Sequence, residues 1–246
     1  MLREIKDLRG FTIEAKDGEI GTVHDFLFQG ENWTIRYLVV DTGKFLPGRK
    51  VILIPDVLGK PDEDEGIFPV DLTKKQVEDS PPIDWAEPIS RQLEDKIRLY
   101  FGWSPYWVPE QAGTAVFPKS ASGEKKREVK ERPGPEEPEL RSLNEVENYE
   151  IKAADGEMGE VEDFLVDDDS WIIRYMVIDT GKWLPGRKVL VSPEWIDGIS
   201  WAEQDIEVQM TQAAIKKSPE YDPTTPVDRE YEVELYEHYG VPKYWP

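Results

Sequence analysis

The constraint that governs this chain is that its text occurs twice. Asp17-Gly18-Glu19-Ile20-Gly21 returns as Asp155-Gly156-Glu157-Met158-Gly159, and the run from Asp41 to Lys50 returns as Asp179 to Lys188, both at an offset of 138 residues. Between 17–55 and 155–193, 24 of 39 positions are identical without a gap. Tyr106-Trp107 falls on Tyr244-Trp245, so 1–108 maps onto 139–246 and 109–138 is left as the joint. A period this long, present in two copies, indicates tandem domains, because solenoid repeats are shorter and usually need three or more copies to bury a core.

A unit of this length can bury a modest core of its own. With 39% hydrophobic residues, 33% charged and 20 prolines, the chain falls in the soluble globular class with one polar connector. No apolar run approaches the roughly 20 residues that cross a bilayer, and Met1 to Lys6 lacks the hydrophobic stretch of a signal peptide, so a cytoplasmic location is expected. The absence of cysteine removes disulfides, thiolate catalysis and thiolate metal sites. The net charge is −21, and it divides unevenly: 14 basic against 20 acidic residues in 1–108, 6 against 6 in 109–138, and 10 against 25 in 139–246. A field of that sign repels phosphate backbones, and nucleic acid is not an expected partner.

Short runs rich in β-branched and aromatic residues, punctuated by Gly18, Gly21, Gly30 and Gly43, predict strands near 11–15, 20–28, 33–41, 49–54 and 66–71, with equivalents in the second copy. This spacing favours a closed or nearly closed barrel, which also hides edge strands. The strand at 35–41 is apolar on both faces: Ile35, Tyr37 and Val39 are expected on one, Leu38 and Val40 on the other. One face fills the barrel. The other must be covered by the following helices or by the sister unit, in intrachain two-fold pairing or in a homodimer.

Thr73 and Thr211 each cap a short helix that Ser80-Pro81 or Ser218-Pro219 ends, and longer helices are expected over 89–101 and 227–239. Each copy closes in an aromatic tail, Trp103, Tyr106 and Trp107 or Tyr244 and Trp245, for which packing onto a barrel is favoured over a partner patch. Pro118, Pro133, Pro135 and Pro138 mark a flexible tether. The expected fold is therefore mainly β, two small barrels each followed by short helices and an aromatic tail. The expected division is a first barrel over 1–80, its helical and aromatic extension over 81–108, a linker over 109–138, a second barrel over 139–218 and its extension over 219–246.

The segment Asp17 to Phe28, followed by Trp33-Thr34-Ile35-Arg36-Tyr37-Leu38-Val39-Val40-Asp41 and the Leu46-Pro47-Gly48-Arg49-Lys50-Val51 loop, resembles the PRC-barrel family over about 1–80 and again over 139–218. That family shares its small barrel with the cytoplasmic part of the photosynthetic reaction-centre H subunit and with the C-terminal part of a ribosome maturation factor. The resemblance implies a tandem PRC-barrel protein acting by protein contact. Fold alone does not carry a function.

Catalysis by nucleophile and base usually needs a histidine, and the chain has only His24 and His238, whose equivalents are Glu162 and Tyr100. The carboxylates Asp17/Asp155, Glu19/Glu157, Asp25/Asp163 and Asp41/Asp179 recur in both copies. The first pair reads as turn aspartates satisfying backbone N–H groups, and Asp25 or Asp41 could pair with Arg36. The acidic runs Asp62 to Glu65 and Asp167 to Asp169 read as solvated loops rather than calcium sites. No catalytic residue, metal site or cofactor is expected.

The candidate site is the pair of basic loops: Lys44, Arg49 and Lys50 with Phe45 as an apolar anchor, repeated as Lys182, Arg187 and Lys188 with Trp183. Six cations at equivalent positions of an acidic protein suit an anion or an acidic partner. The competing reading is a hairpin whose charges pair with nearby carboxylates. The function expected is a non-enzymatic adaptor or scaffold for a protein partner. The alternatives are a photosynthesis-linked, membrane-peripheral protein in contact with a membrane complex, and a small-anion or divalent-metal binder. On the partner-binding reading, Arg49→Glu with Arg187→Glu leaves folding intact and weakens binding.

Overall fold

The computed structural model describes residues 1–86, 88–107, 140–181 and 185–245. The expected linker lies outside these residues. In the first half, β1 (Leu2–Glu4) runs into a one-turn helix α1 (Ile5–Leu8), followed by β2 (Thr12–Ala15), β3 (Gly18–Gln29), β4 (Thr34–Asp41), β5 (Lys50–Leu53), β6 (Ile67–Pro69), α2 (Lys74–Glu78) and α3 (Arg91–Phe101). The second half has β7 (Leu140–Ser142), α4 (Leu143–Val146), β8 (Glu150–Ala153), β9 (Gly156–Asp167), β10 (Ile173–Asp179), β11 (Lys188–Val191), β12 (Ile196–Ser200), β13 (Asp205–Val208), α5 (Gln212–Lys216) and α6 (Arg229–Tyr239). The fold is mainly β, built on two sheets of order β5-β4-β3-β2-β6 and β11-β10-β9-β8-β13-β12.

These orders are open paths, so the expected closed barrel is not what the hydrogen bonds describe. Within the first sheet β3 is the longest strand, 12 residues. One of its edges pairs with β4; the other pairs with β2 from Gly18 to Thr22 and is then left free. The other half's first strand fills the gap: β7 pairs antiparallel with β3, Leu27 opposite Ser142 and Gln29 opposite Leu140. The exchange is reciprocal, because β1 pairs in the same register with β9, Leu2 opposite Asp167 and Glu4 opposite Leu165. Edge strands that would otherwise template aggregation are thereby covered.

The two sheets also meet at a pseudo-two-fold axis. Thr34 bridges Ile172, Ile35 N donates to Trp171 O at 2.8 Å, and Ile173 N donates to Trp33 O at 2.8 Å. Both tryptophans adopt left-handed backbone, φ 52° and 56°, which is unusual for a bulky residue and persists because packing on both sides fixes it. Trp33 stacks on Phe28 and reaches Phe164 of the other half, while Trp171 lies against Phe26 and Phe68. One hydrophobic core consequently runs through both halves, from Ile13, Phe26 and Val40 to Phe164, Met176 and Ile206.

The two-faced strand behaves as expected with one correction. Leu38 and Val40 enter the shared core, Tyr37 and Val39 face the other way, but Ile35 joins Leu38 and Val40. A register shift causes this: Phe28 pairs with Ile35 and Leu27 with Tyr37, so Arg36 is a bulge residue that turns the strand over. The same shift recurs between Ile173 and Tyr175. Both expected covers act on the second face, since Ile97 of α3 and Leu140 from the other half pack on Tyr37, Val39, Ile52 and Ile54.

Candidate functional site

The loop after β4 is held from within. Asp41 Oδ1 accepts from Gly43 N at 2.9 Å, and Thr42 Oγ1 donates to the carbonyls of Leu46 and Arg49 at 2.8 and 2.7 Å. Asp179 and Thr180 repeat the pattern on Gly181 and Arg187 at 2.8 and 2.7 Å. Asp41 is thus a turn residue. Neither it nor Asp25 pairs with Arg36, which donates to Gln29 at 2.8 Å and lies 4.2 Å above the Tyr106 ring. Asp25 instead accepts from the backbone of Asn144 at 3.2 Å and from the Ser142 hydroxyl, capping α4 of the other half.

The candidate cations divide into two groups. Arg49 reaches the C-terminal end of α2, donating to Glu78 O at 2.6 Å, Ser80 O at 2.5 Å and Ser80 Oγ at 2.9 Å. Arg187 does the same at Ser218 O beyond α5. Carbonyls at a helix C-terminus lack intrahelical partners, and a guanidinium satisfies several at once. Lys50 lies 2.7 Å from His24 Nε2, and Lys188 forms an ion pair with Glu162 at 2.5 Å. These four residues therefore fasten the loops to the sheets and helices. Arg49→Glu and Arg187→Glu are expected to damage folding, which replaces the outcome anticipated for them above.

Lys44 is exposed, and Phe45 is half-buried with Lys74 Nζ 4.8 Å from its ring centroid. Lys74 also starts α2, where its backbone N–H donates to Asp17 Oδ1 at 2.7 Å. Gln212 N meets Asp155 in the same way at 2.7 Å, which is the turn role expected of these aspartates. Tyr100 Oη donates to Gln76 O at 3.0 Å, so the last turn of α3 lies against α2, and Leu99 in that turn is 69% exposed. At the equivalent places the second half has Gln212 for Lys74, Ala213 for Lys75 and Glu237 for Leu99. Lys182 and Trp183 lie outside the described residues.

A second constellation, overlooked in the sequence, closes each half. Glu94 is buried at 1% exposure and accepts from Tyr37 at 2.8 Å and Tyr106 at 3.1 Å. Arg91 pairs with it at 3.3 Å and stacks 3.9 Å above Trp107. Glu232 accepts from Tyr175 at 2.8 Å and Tyr244 at 2.7 Å, with Arg229 at 2.8 Å and 4.2 Å above Trp245. Burial raises the Glu94 carboxyl despite its arginine neighbours, and burial with the adjacent carboxylate pushes the Tyr106 and Tyr244 phenols to about 12. The tails thus pack on their own halves. The available signal was the repetition of Arg91, Glu94, Tyr106 and Trp107 as Arg229, Glu232, Tyr244 and Trp245.

The acidic turn Asp167-Asp168-Asp169 brings carboxylate oxygens within 4.8 Å of one another. Arg3 Nε donates to Asp168 at 2.7 Å, and Arg174 stands 3.7 Å from Asp167. The turn leads into Trp171 at the pseudo-axis.

Residues 2–77 match the family model of the PRC-barrel domain. The matched stretch runs from β1 into α2 and so takes in strands β2 to β6 of the first sheet. No curated protein matches the chain. No helix among the described residues is long and apolar enough to cross a membrane.

Proposed function

We propose that this chain is a non-enzymatic adaptor, two PRC-barrel units duplicated within one polypeptide, locked together by exchanged strands and each offering a loop-and-helix face to a protein partner. The observation that carries this reading is the divergence of equivalent surfaces on a shared frame. The backbone pairing that builds the exchange recurs in both halves, whereas Lys74 and Leu99 stand where the second half has Gln212 and Glu237. An exposed Lys44 beside a half-buried Lys74 and Phe45 suits an acidic partner with an apolar anchor, and the strongly acidic second half suits a different one. Two sites on one body raise avidity for a divalent target or bring two targets together.

The test is Lys44→Glu with Lys74→Glu, since neither side chain fastens a helix end. The variant should keep the parent's circular dichroism spectrum and unfolding midpoint and lose the protein recovered with the tagged parent from the soluble or membrane fraction of its native source. Recovery of the same partner by the folded variant overturns the assignment of this face. A partner confined to the membrane fraction places the adaptor on a membrane complex.

A further inference from the structure

The two crossings that join the halves share a backbone register and differ in chemistry. Where β7 crosses β3, Ser142 donates its hydroxyl to Asp25. Where β1 crosses β9, the position of Ser142 is taken by Glu4 and that of Asp25 by Asp163, so two carboxyl groups face the single ammonium of Lys6 where the other crossing has a hydroxyl and a carboxylate. Two buried carboxylates against one cation leave a negative charge uncompensated, which favours a proton on one of them. Asp163 is 0% exposed and Glu4 8% exposed.

The surroundings fix which one. Tyr221 Oη donates to Glu4 Oε1 at 2.5 Å, and Lys6 Nζ contacts Glu4 Oε2 while standing 3.8 Å from Asp163. Asp163 Oδ1 accepts from Lys6 N at 3.2 Å, whereas Oδ2 is enclosed with no N–H or hydroxyl donor among the described residues. The other charges nearby are Asp7 on α1 and Glu162 on β9, and Glu162 is paired with Lys188; further along β1, Arg3 is occupied by Asp168 and Glu63. A single lysine thus faces two buried carboxyls. Burial acts to raise Glu4, but Lys6 and Tyr221 hold it below the ordinary glutamate range; burial, reinforced by Glu4, pushes Asp163 up to about 7.

We propose that the crossing of β1 onto β9 is a pH-sensitive latch, held while the enclosed Asp163 carboxyl keeps its proton beside Glu4 and loosened when that proton leaves, and that the crossing of β7 onto β3 lacks this device. The sign follows from linkage. A carboxyl with a raised value in the closed state favours closure fully below its ordinary value near 4, and that preference is lost as pH rises to about 7. Opening therefore increases towards tenfold per pH unit across that window and levels off above it. The low value of Glu4 works in the opposite sense, but only below its ordinary range.

The test uses the intact chain and its own second crossing as the reference. Hydrogen exchange is followed from pH 5 to 8 for the amides of Leu2 to Glu4 and of Leu165 to Asp167, relative to Leu140 to Ser142 and Leu27 to Gln29, so that the intrinsic pH dependence of exchange cancels. In the parent, relative protection of the β1 crossing should fall about a hundredfold between pH 5 and 7 and then level off. Asp163→Asn should flatten the profile, and so should Glu4→Ser, which copies the other crossing. Where Asp163→Asn does not fold, Glu4→Ser decides alone. A flat parent profile, or a slope that survives in the folded variants, overturns the latch.

Discussion

Arg49 and Arg187 show how far a residue's role depends on groups that have no letter of their own. Their targets are backbone carbonyls at the ends of α2 and α5, and Arg49 adds the Ser80 hydroxyl. The repeated loop was legible in the sequence, and so was the choice between a partner site and internal pairing. The answer was not, because a main-chain acceptor about 30 residues away leaves no trace in composition or spacing. Charge-assisted hydrogen bonds of this kind contribute about 1.5–3 kcal/mol. Arg49→Ala should therefore lower the melting temperature by roughly 3–10 °C for a chain of this size. Lys44→Ala, which removes only an exposed cation, should stay within about 0.5 kcal/mol of the parent. Thermal unfolding of the two variants side by side checks the division of the basic loop into fasteners and free surface; equal losses would contradict it.

At the scale of elements, runs of β-branched and aromatic residues bounded by turn residues placed the strands well, and their faces were then left to a period of two. It failed at Arg36 and Arg174. A bulge inserts one residue without changing the apolar composition, so the strand's faces exchange with no signal in the pattern. The helix starts were legible through Thr73, whose side chain accepts from Gln76 N in a capping box, and through Thr211. Gly21 is a third case: its repetition as Gly159 was visible, but its reason is a close approach. A Cβ on Gly21 would lie 2.0 Å from Asp41 O, and one on Gly159 would lie 2.0 Å from Asp179 O. Asp41 is paired with Thr22 at the end of the β3–β4 ladder, and Gly21 is itself paired with Ile13, so neither backbone withdraws freely. Gly21→Ala should thus cost several times the about 1–2 kcal/mol expected for Gly43→Ala, where open space surrounds the added methyl and only the left-handed backbone resists it. Urea unfolding of both variants distinguishes them, and a Gly21→Ala protein as stable as Gly43→Ala would refute the close approach.

For the whole molecule, the offset of 138 residues made two related units legible and left open how they combine. The missing signal was small: Leu2-Arg3 and Leu140-Arg141 repeat at the same offset, but three-residue strands carry too few side chains to announce a partner. Their energetic weight is larger than their length suggests, because each crossing seals the free edge of a long strand and carries its short helix, α1 or α4, onto the other half's sheet. Trp33 and Trp171 then interlock at the pseudo-axis, each packing on aromatic rings of the other half. A core shared in this way should outlast the covalent connection between its parts. Residues 1–107 and 140–246 produced together as separate chains should associate one to one and unfold in a single transition, while either chain alone should expose apolar surface and bind a hydrophobic dye. Size-exclusion chromatography with multi-angle light scattering gives the stoichiometry. Two independently folded monomers would mean that the exchanged strands decorate the halves rather than unite them. A one-to-one complex whose pH-dependent dissociation disappears in Glu4→Ser would instead tie the integrity of the whole body to a single buried proton.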